Sequence, residues 1–251
     1  MEYRILGPVE FGRDGADITL GGAKPRTVLA ALLLAGERVV SVDTLTEYLW
    51  GQHPPVTYPA QIHNYVSRLR KMLGPVIERR PPGYRLLLNG AHLDLAEFDA
   101  QAAAGRKALD AGRRAEAAMW LSTSLGHWRG PALAGVTEYL ATAEAPRLEE
   151  ARITVLERRI GLDLDLGRHG QVLPELAGLV RCHPMREGFR AQLMTAYYRC
   201  DRQAEALAVY DEGRRLLAEE LGIDPGTAMR DVHRAILAAD PRLHATPAAV
   251  H

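Results

Sequence analysis

The sequence predicts a small α+β domain of the winged helix-turn-helix kind followed by an all-α domain of tetratricopeptide-like helical repeats. Three observations carry this reading. Short β-branched and aromatic runs punctuated by Gly and Pro fill residues 1–22. From Ala23 onward the apolar residues recur at helical spacing. After Asp94 the chain becomes alanine-rich and almost uninterruptedly helical. We therefore expect a winged-helix domain over residues 1–92, helical repeats over 93–240 and a flexible tail over 241–251.

The opening strands are expected at residues 3–6, 9–11 and 18–20, separated by Gly7-Pro8 and a turn from Gly12 to Asp17. Val28, Leu29, Leu32 and Leu33 then mark a first helix that begins behind Lys24-Pro25 and stops at Gly36, Pro being tolerated in a first turn. Ser41 or Asp43 can cap a second helix whose Leu45, Tyr48 and Leu49 face inward up to Trp50-Gly51. Pro59 opens a third helix that Gly74-Pro75 ends. On a helical wheel Ile62, Tyr65, Val66, Leu69, Met72 and Leu73 gather on one side, which must meet the core. The opposite stripe holds Ala60, Asn64, Ser67 and Lys71, edged by His63, Arg68 and Arg70. Residues 76–80 and 84–88, joined through Pro81-Pro82-Gly83, form a hairpin with arginines near its tip.

Beyond the boundary, helices are expected near 97–111, 114–128, 146–167, 170–182, 187–200, 203–220 and 227–239. Leu176, Leu179 and Pro184 sit at tetratricopeptide positions, and Leu193, Tyr197, Ala206 and Tyr210 match the next unit in a 34-residue phase. Met194 occupies the glycine position of that repeat, so the repeat is degenerate.

Composition narrows the function classes. With 25% charged residues and 31 basic against 31 acidic side chains, the 251-residue chain reads as an ordinary globular protein, which excludes disorder, coiled coil and collagen. No apolar run approaches the ~18 residues of a membrane span, and the first residues lack a signal-peptide profile, so we expect a cytoplasmic protein with no membrane partner. Cys182 and Cys200 are too few for a disulfide scaffold or a zinc site, and a reduced pair is expected. The zero net charge conceals a basic window: between Gln61 and Arg85, Arg68, Arg70, Lys71, Arg79, Arg80 and Arg85 face Glu78 alone. Such a concentration suits a polyanion.

A charged helix taken alone is usually a solvated surface. Two preceding helices, a third with a donor-rich outward stripe and an arginine-bearing hairpin behind it change the reading. Together they are the layout in which a helix enters the DNA major groove while a wing reaches phosphates or the minor groove.

The resemblance then becomes specific. Leu49-Trp50-Gly51, the run His63-Asn64-Tyr65-Val66-Ser67-Arg68-Leu69-Arg70-Lys71-Met72-Leu73 and Pro82-Gly83-Tyr84-Arg85 resemble the winged-helix effector domain of response regulators. Phe98, the run from His127 to Leu133, Arg147-Leu148-Glu149-Glu150-Ala151-Arg152, His183-Pro184-Met185-Arg186-Glu187 and Leu221-Gly222-Ile223-Asp224-Pro225-Gly226 resemble the bacterial transcriptional activation domain. In this order, and over residues 1–240, the two resemble the SARP family, the Streptomyces antibiotic regulatory proteins.

The resemblance implies a transcriptional activator of a secondary-metabolite gene cluster. It would bind direct repeats of double-stranded DNA near a promoter, associate with other copies there, and recruit RNA polymerase through its sigma factor. Carried over position by position, it puts His63, Ser67 and Arg68 toward the groove, phosphate contacts on Trp50, Tyr65 and Arg70, and a wing contact on Arg80. From their chemistry, Arg68 can offer paired donors to guanine and Asn64 to adenine, while Lys71 and Arg70 suit phosphate. His63 and Pro81-Pro82 depart from some relatives. Trp50 reads equally as a core aromatic and as an indole N–H aimed at the DNA backbone.

No phosphate-binding loop, nucleophile elbow or zinc-helix motif occurs, and the nine histidines lack ligand spacing. A non-enzyme without cofactor or metal is expected. The alternative from another class is a helical-repeat adaptor whose basic N-terminal domain binds nucleic acid nonspecifically.

Overall fold

The structure is a computed structural model and describes residues 1–13, 16–18 and 20–243. The order of elements is β1 (Glu2–Arg4), β2 (Glu10–Arg13), β3 (Ala16–Ile18), α1 (Ala23–Leu34), β4 (Val40–Ser41), α2 (Val42–Trp50), α3 (Tyr58–Leu73), β5 (Ile77–Arg80), β6 (Gly83–Leu86), β7 (His92–Leu93), α4 (Asp94–Asp110), α5 (Arg114–Leu125), α6 (Glu138–Asp165), α7 (His169–Cys182), α8 (Glu187–Arg199), α9 (Gln203–Leu221) and α10 (Thr227–Leu237). A short 3-10 turn at Pro241–Leu243 follows, and the rest of the expected tail, 244–251, lies outside the described residues.

The residues divide into two compact units, one made of 1–103 and 123–153, the other of 104–122 and 154–251. In the first, β3-β2-β1-β7 form a four-stranded sheet in that order, with β1 antiparallel to β2 and parallel to β7. A second sheet, β4-β6-β5, carries the hairpin, and its register pairs Ile77 with Leu86 and Arg80 with Gly83. Pro81 and Pro82 alone make the turn. The buried faces of the three helices, Val28, Leu29, Leu32, Leu45, Leu49, Ile62, Val66 and Leu69, fill the core between them. Ser41 is the residue that caps α2, its Oγ accepting from the Thr44 amide at 3.0 Å.

The first unit is closed by segments from beyond the expected boundary. Asp94 is 7% exposed, and its carboxylate accepts from the amides of Ile5 and Leu6 at 2.9 Å and of Leu95 at 2.8 Å. Burial lifts its carboxyl above the ordinary aspartate value, against the pull of these amides and of Arg129, whose Nη2 lies 3.7 Å away. The 129–134 segment runs beside the turn after β1: Arg129 and Leu133 donate their amides to the Leu6 and Ile5 carbonyls, Ala134 donates to the Gly7 carbonyl, and Val9 donates to the Ala134 carbonyl. Thr27, fully buried on α1, donates to the Ala23 carbonyl and accepts from the Thr137 amide, and Thr137 donates in turn to the Tyr48 carbonyl at the end of α2. Trp128 packs edge-on against Phe98 and lies under the Arg152 guanidinium.

In the second unit, α7 and α9 begin one 34-residue period apart, at His169 and Gln203. Met194, Ala206 and Ile236 form a core patched by Tyr197, Tyr198 and Tyr210, and Tyr210 stacks on His233 at 3.8 Å. Arg159 bonds Asp163 and Glu175, while Arg168 reaches the other oxygen of Asp163 at 2.9 Å.

The expected helices are present, with two displaced starts. α4 begins at Asp94 rather than 97, and α6 begins at Glu138 rather than 146 and carries Pro146 inside it. A Pro followed by helix formers reads as a first turn, because a first turn is where Pro costs nothing. Here the chain accepts the lost hydrogen bond mid-helix. Strand β7 was not expected; two residues are too short for an alternation to register.

Candidate nucleic-acid interface

The third helix has the two faces its sequence implies. Ile62, Val66, Leu69 and Leu73 are buried, and Ala60, His63, Asn64, Arg68 and Lys71 are exposed, with Ser67 half-buried between them. Residues 60, 64, 67 and 71 are spaced so that their side chains leave one side of the helix in a row. Among the described residues no carboxylate pairs with Arg68 or Lys71, so both charges are available to an anion.

The other expected residues are placed differently. Arg70 is half-buried and its Nε donates to the Ile77 carbonyl at 2.7 Å, tying the end of α3 to the start of the hairpin. Its charge is therefore held at the helix–hairpin junction rather than on an open stripe. Tyr65 is half-buried, with its hydroxyl 3.4 Å from Gln61 Oε1. Trp50 is 8% exposed and takes the core position, yet among the described residues nothing accepts its indole N–H. Both readings of Trp50 thus keep a physical basis.

At the hairpin the basic window is partly neutralised. Glu78 bonds Arg85 at 2.7 Å and Arg80 at 3.1 Å, and these two bonds hold its carboxyl below the ordinary glutamate range. Arg80 remains exposed, and Arg79 lies across the buried Tyr84 ring with Nη1 3.0 Å from its hydroxyl. Gly83 is required by close approach, since a β-carbon there would sit 1.8 Å from the Val40 carbonyl oxygen.

The structure also brings in a residue the basic window omitted. Lys24 Nζ lies 5.0 Å from the centroid of the Trp50 ring. It belongs to the first turn of α1, 34 positions before α3 begins at Tyr58. Its only sequence signal was a lysine among arginines ahead of a helix.

Residues 93–237 match the family described as bacterial transcriptional activator domain, and residues 15–86 match the family described as transcriptional regulatory protein, C terminal. The regulatory protein DnrI of Streptomyces peucetius is 35% identical over 254 residues, an alignment covering 96% of this chain and 93% of DnrI. The chain belongs to the SARP family. The regulatory protein AfsR of Streptomyces coelicolor is 44% identical to this SARP chain over 246 residues, 97% of the chain but 25% of AfsR. The chain thus spans about a quarter of the length of that relative. A solved structure of Mycobacterium tuberculosis EmbR in complex with a low affinity phosphopeptide superposes with a TM-score of 0.89 at 38% identity, covering 96% of this chain and 65% of that one. The SARP fold, a winged helix followed by helical repeats, is therefore the fold of this chain. Among its described residues no helix is long and apolar enough to cross a membrane.

Proposed function

We propose that the chain is a sequence-specific, DNA-binding transcriptional activator of a secondary-metabolite gene cluster, which binds direct repeats beside a promoter and recruits RNA polymerase holoenzyme through its sigma factor. The observation that carries this reading is the outward stripe of α3, where Asn64, Ser67, Arg68 and Lys71 stand unburdened by carboxylates next to an arginine-bearing hairpin. In this reading α3 lies in the major groove. Arg68 takes guanine O6 and N7, Asn64 takes adenine, and His63 and Ser67 read neighbouring positions, each good bidentate pair supplying about 1–3 kcal/mol of discrimination. Lys71, Arg70, Tyr65 and Trp50 meet phosphates, and Arg80 reaches the DNA from the wing.

Base reading is assigned to residues 1–92 and polymerase contact to 93–240, since helical repeats offer grooves suited to a partner segment. Self-association would occur on repeated sites. Family membership and the regulators DnrI and AfsR support the reading. The test is a gel-shift titration at physiological salt on DNA from upstream of neighbouring genes against random DNA, followed by in vitro transcription with holoenzyme. A specificity ratio near one would reduce the chain to the nonspecific adaptor.

A further inference from the structure

Lys24 stands where helix electrostatics disfavour it. The amide dipoles of a helix leave partial positive charge at its first turn, so acids are favoured there and cations are not. The first turn of α1 nevertheless contains Lys24 and Arg26 and no acidic residue, and its cap, Gly22, supplies no side-chain acceptor. Among the described residues no carboxylate pairs with Lys24. The turn is also bare: Gly21, Gly22 and Ala23 are exposed. Local conflicts of this kind mark functional or strained sites.

Two further observations say which ligand. The ammonium of Lys24 is held over the Trp50 ring, and Trp50, more than nine-tenths buried, has an indole N–H with no acceptor among the described residues. The bare turn adjoins the outward stripe of α3, because a β-carbon added at Gly21 would lie 4.0 Å from Arg68 Nη2. The Lys24 ammonium and the unused Trp50 donor thus lie at the end of α1 that is preceded by the Gly21 turn, and that turn meets the guanidinium the proposed function aims at a base.

We infer that Lys24 is a DNA-binding residue of this chain: with the Trp50 indole N–H it holds a backbone phosphate flanking the bases met by α3, and so fixes how the helix is set in the groove. The inference rests on the DNA-binding reading proposed above. Trp50 is the platform that orients the ammonium, and the phosphate supplies the negative charge the first turn of α1 lacks.

The test compares the full chain with Lys24→Met, which keeps an unbranched stem over Trp50 and removes the charge, and with Lys24→Arg, which keeps it. Binding is followed by fluorescence anisotropy over a salt series, on a duplex enriched from a random library by the wild-type chain and on the unselected library. Thermal melts check that the variants fold. Lys24→Met should lower the slope of log K against log salt by about one and weaken binding about fivefold near physiological salt, equally on both duplexes. Lys24→Arg should restore slope and affinity. An unchanged slope in a folded Lys24→Met chain that still binds overturns this inference alone and leaves Lys24 as a cover for Trp50. A loss confined to the enriched duplex overturns the assignment to phosphate. A wild-type chain that enriches no duplex and does not bind the unselected library overturns the DNA-binding reading, and this inference with it.

Discussion

Replacing Asp94 by Ala should loosen the first unit by removing a single acceptor that serves two buried donors. The amides of Ile5 and Leu6 both end on its carboxylate at 2.9 Å, and both residues are fully buried. A buried donor left without an acceptor costs about 1–3 kcal/mol, so the pair predicts a loss of roughly 2–6 kcal/mol. That is a large share of the ~5–15 kcal/mol that holds a typical domain folded. Asp94→Asn, which keeps one acceptor oxygen but turns an NH2 group toward the amides, should lose less. A chain with two compact units need not unfold in one step. The transition of the first unit should therefore be followed through Trp50 and Trp128 in a Trp120→Phe background during urea denaturation. An Asp94→Ala midpoint unchanged from the parent would show that water or a shifted backbone satisfies both amides, and that the clasp is not what holds β1 to α4.

Arg68→Ala should weaken binding to the preferred DNA by about 1–3 kcal/mol and relax one base position, whereas Lys71→Ala should weaken all sequences equally and lower the salt slope by about one; equal loss on selected and random DNA for Arg68→Ala would reassign it to phosphate. Glu78→Gln frees Arg80 and Arg85 from their shared carboxylate and should tighten binding to every duplex with a steeper salt slope, measurable by anisotropy. Because both arginines hold the folded-state pKa of Glu78 below its ordinary value, the ion pairs persist above that range and are lost only as pH falls through the depressed pKa, so the parent should acquire the variant's behaviour only in acid. Gly83→Ala should part β4 from β6, with a cost of about 1–3 kcal/mol or more from overpacking against the Val40 carbonyl; rapid hydrogen exchange at the Val40 and Tyr84 amides would report it, and parental protection would refute it.

The legible parts of this chain were those written in side-chain periodicity. The buried face of α3 and the order of the helices after Asp94 follow from apolar spacing, and Gly36, Gly74 and the Pro81-Pro82 turn end elements as their backbone chemistry requires. The start of α6 departs from the sequence reading because Pro146 obeys a rule for helix beginnings that a long helix can override. The lacing of residues 129–134 onto the turn after β1 leaves no trace in the sequence, since its bonds are made by backbone amides and carbonyls, and the Thr27–Thr137 pair that ties in α1 joins positions too far apart for any spacing to mark. Within the candidate interface, exposure of Arg68 and Lys71 could be read from a wheel. The withdrawal of Arg70 to Ile77 and the approach of Lys24 to Trp50 could not, because each depends on elements brought together only by folding.

The lacing of the 129–137 segment has a consequence for how such regulators can be recombined. Matches between relatives divide the chain at about residue 93, but the hydrogen bonds that seat β1 and α1 come from residues well inside the second match. The part that matches each family and the part that is compact have different borders. A chimera that exchanges only residues 1–92 between two members would join a foreign helix-turn-helix to a resident 129–137 strap shaped for another partner, and Thr27 would have to find a new Thr137. Exchanging 123–153 along with it transfers the strap together with the surface it was selected to fit. The compact first unit is a non-contiguous block, residues 1–103 with 123–153, and it is that block, rather than residues 1–92 alone, that should stay folded in an exchange.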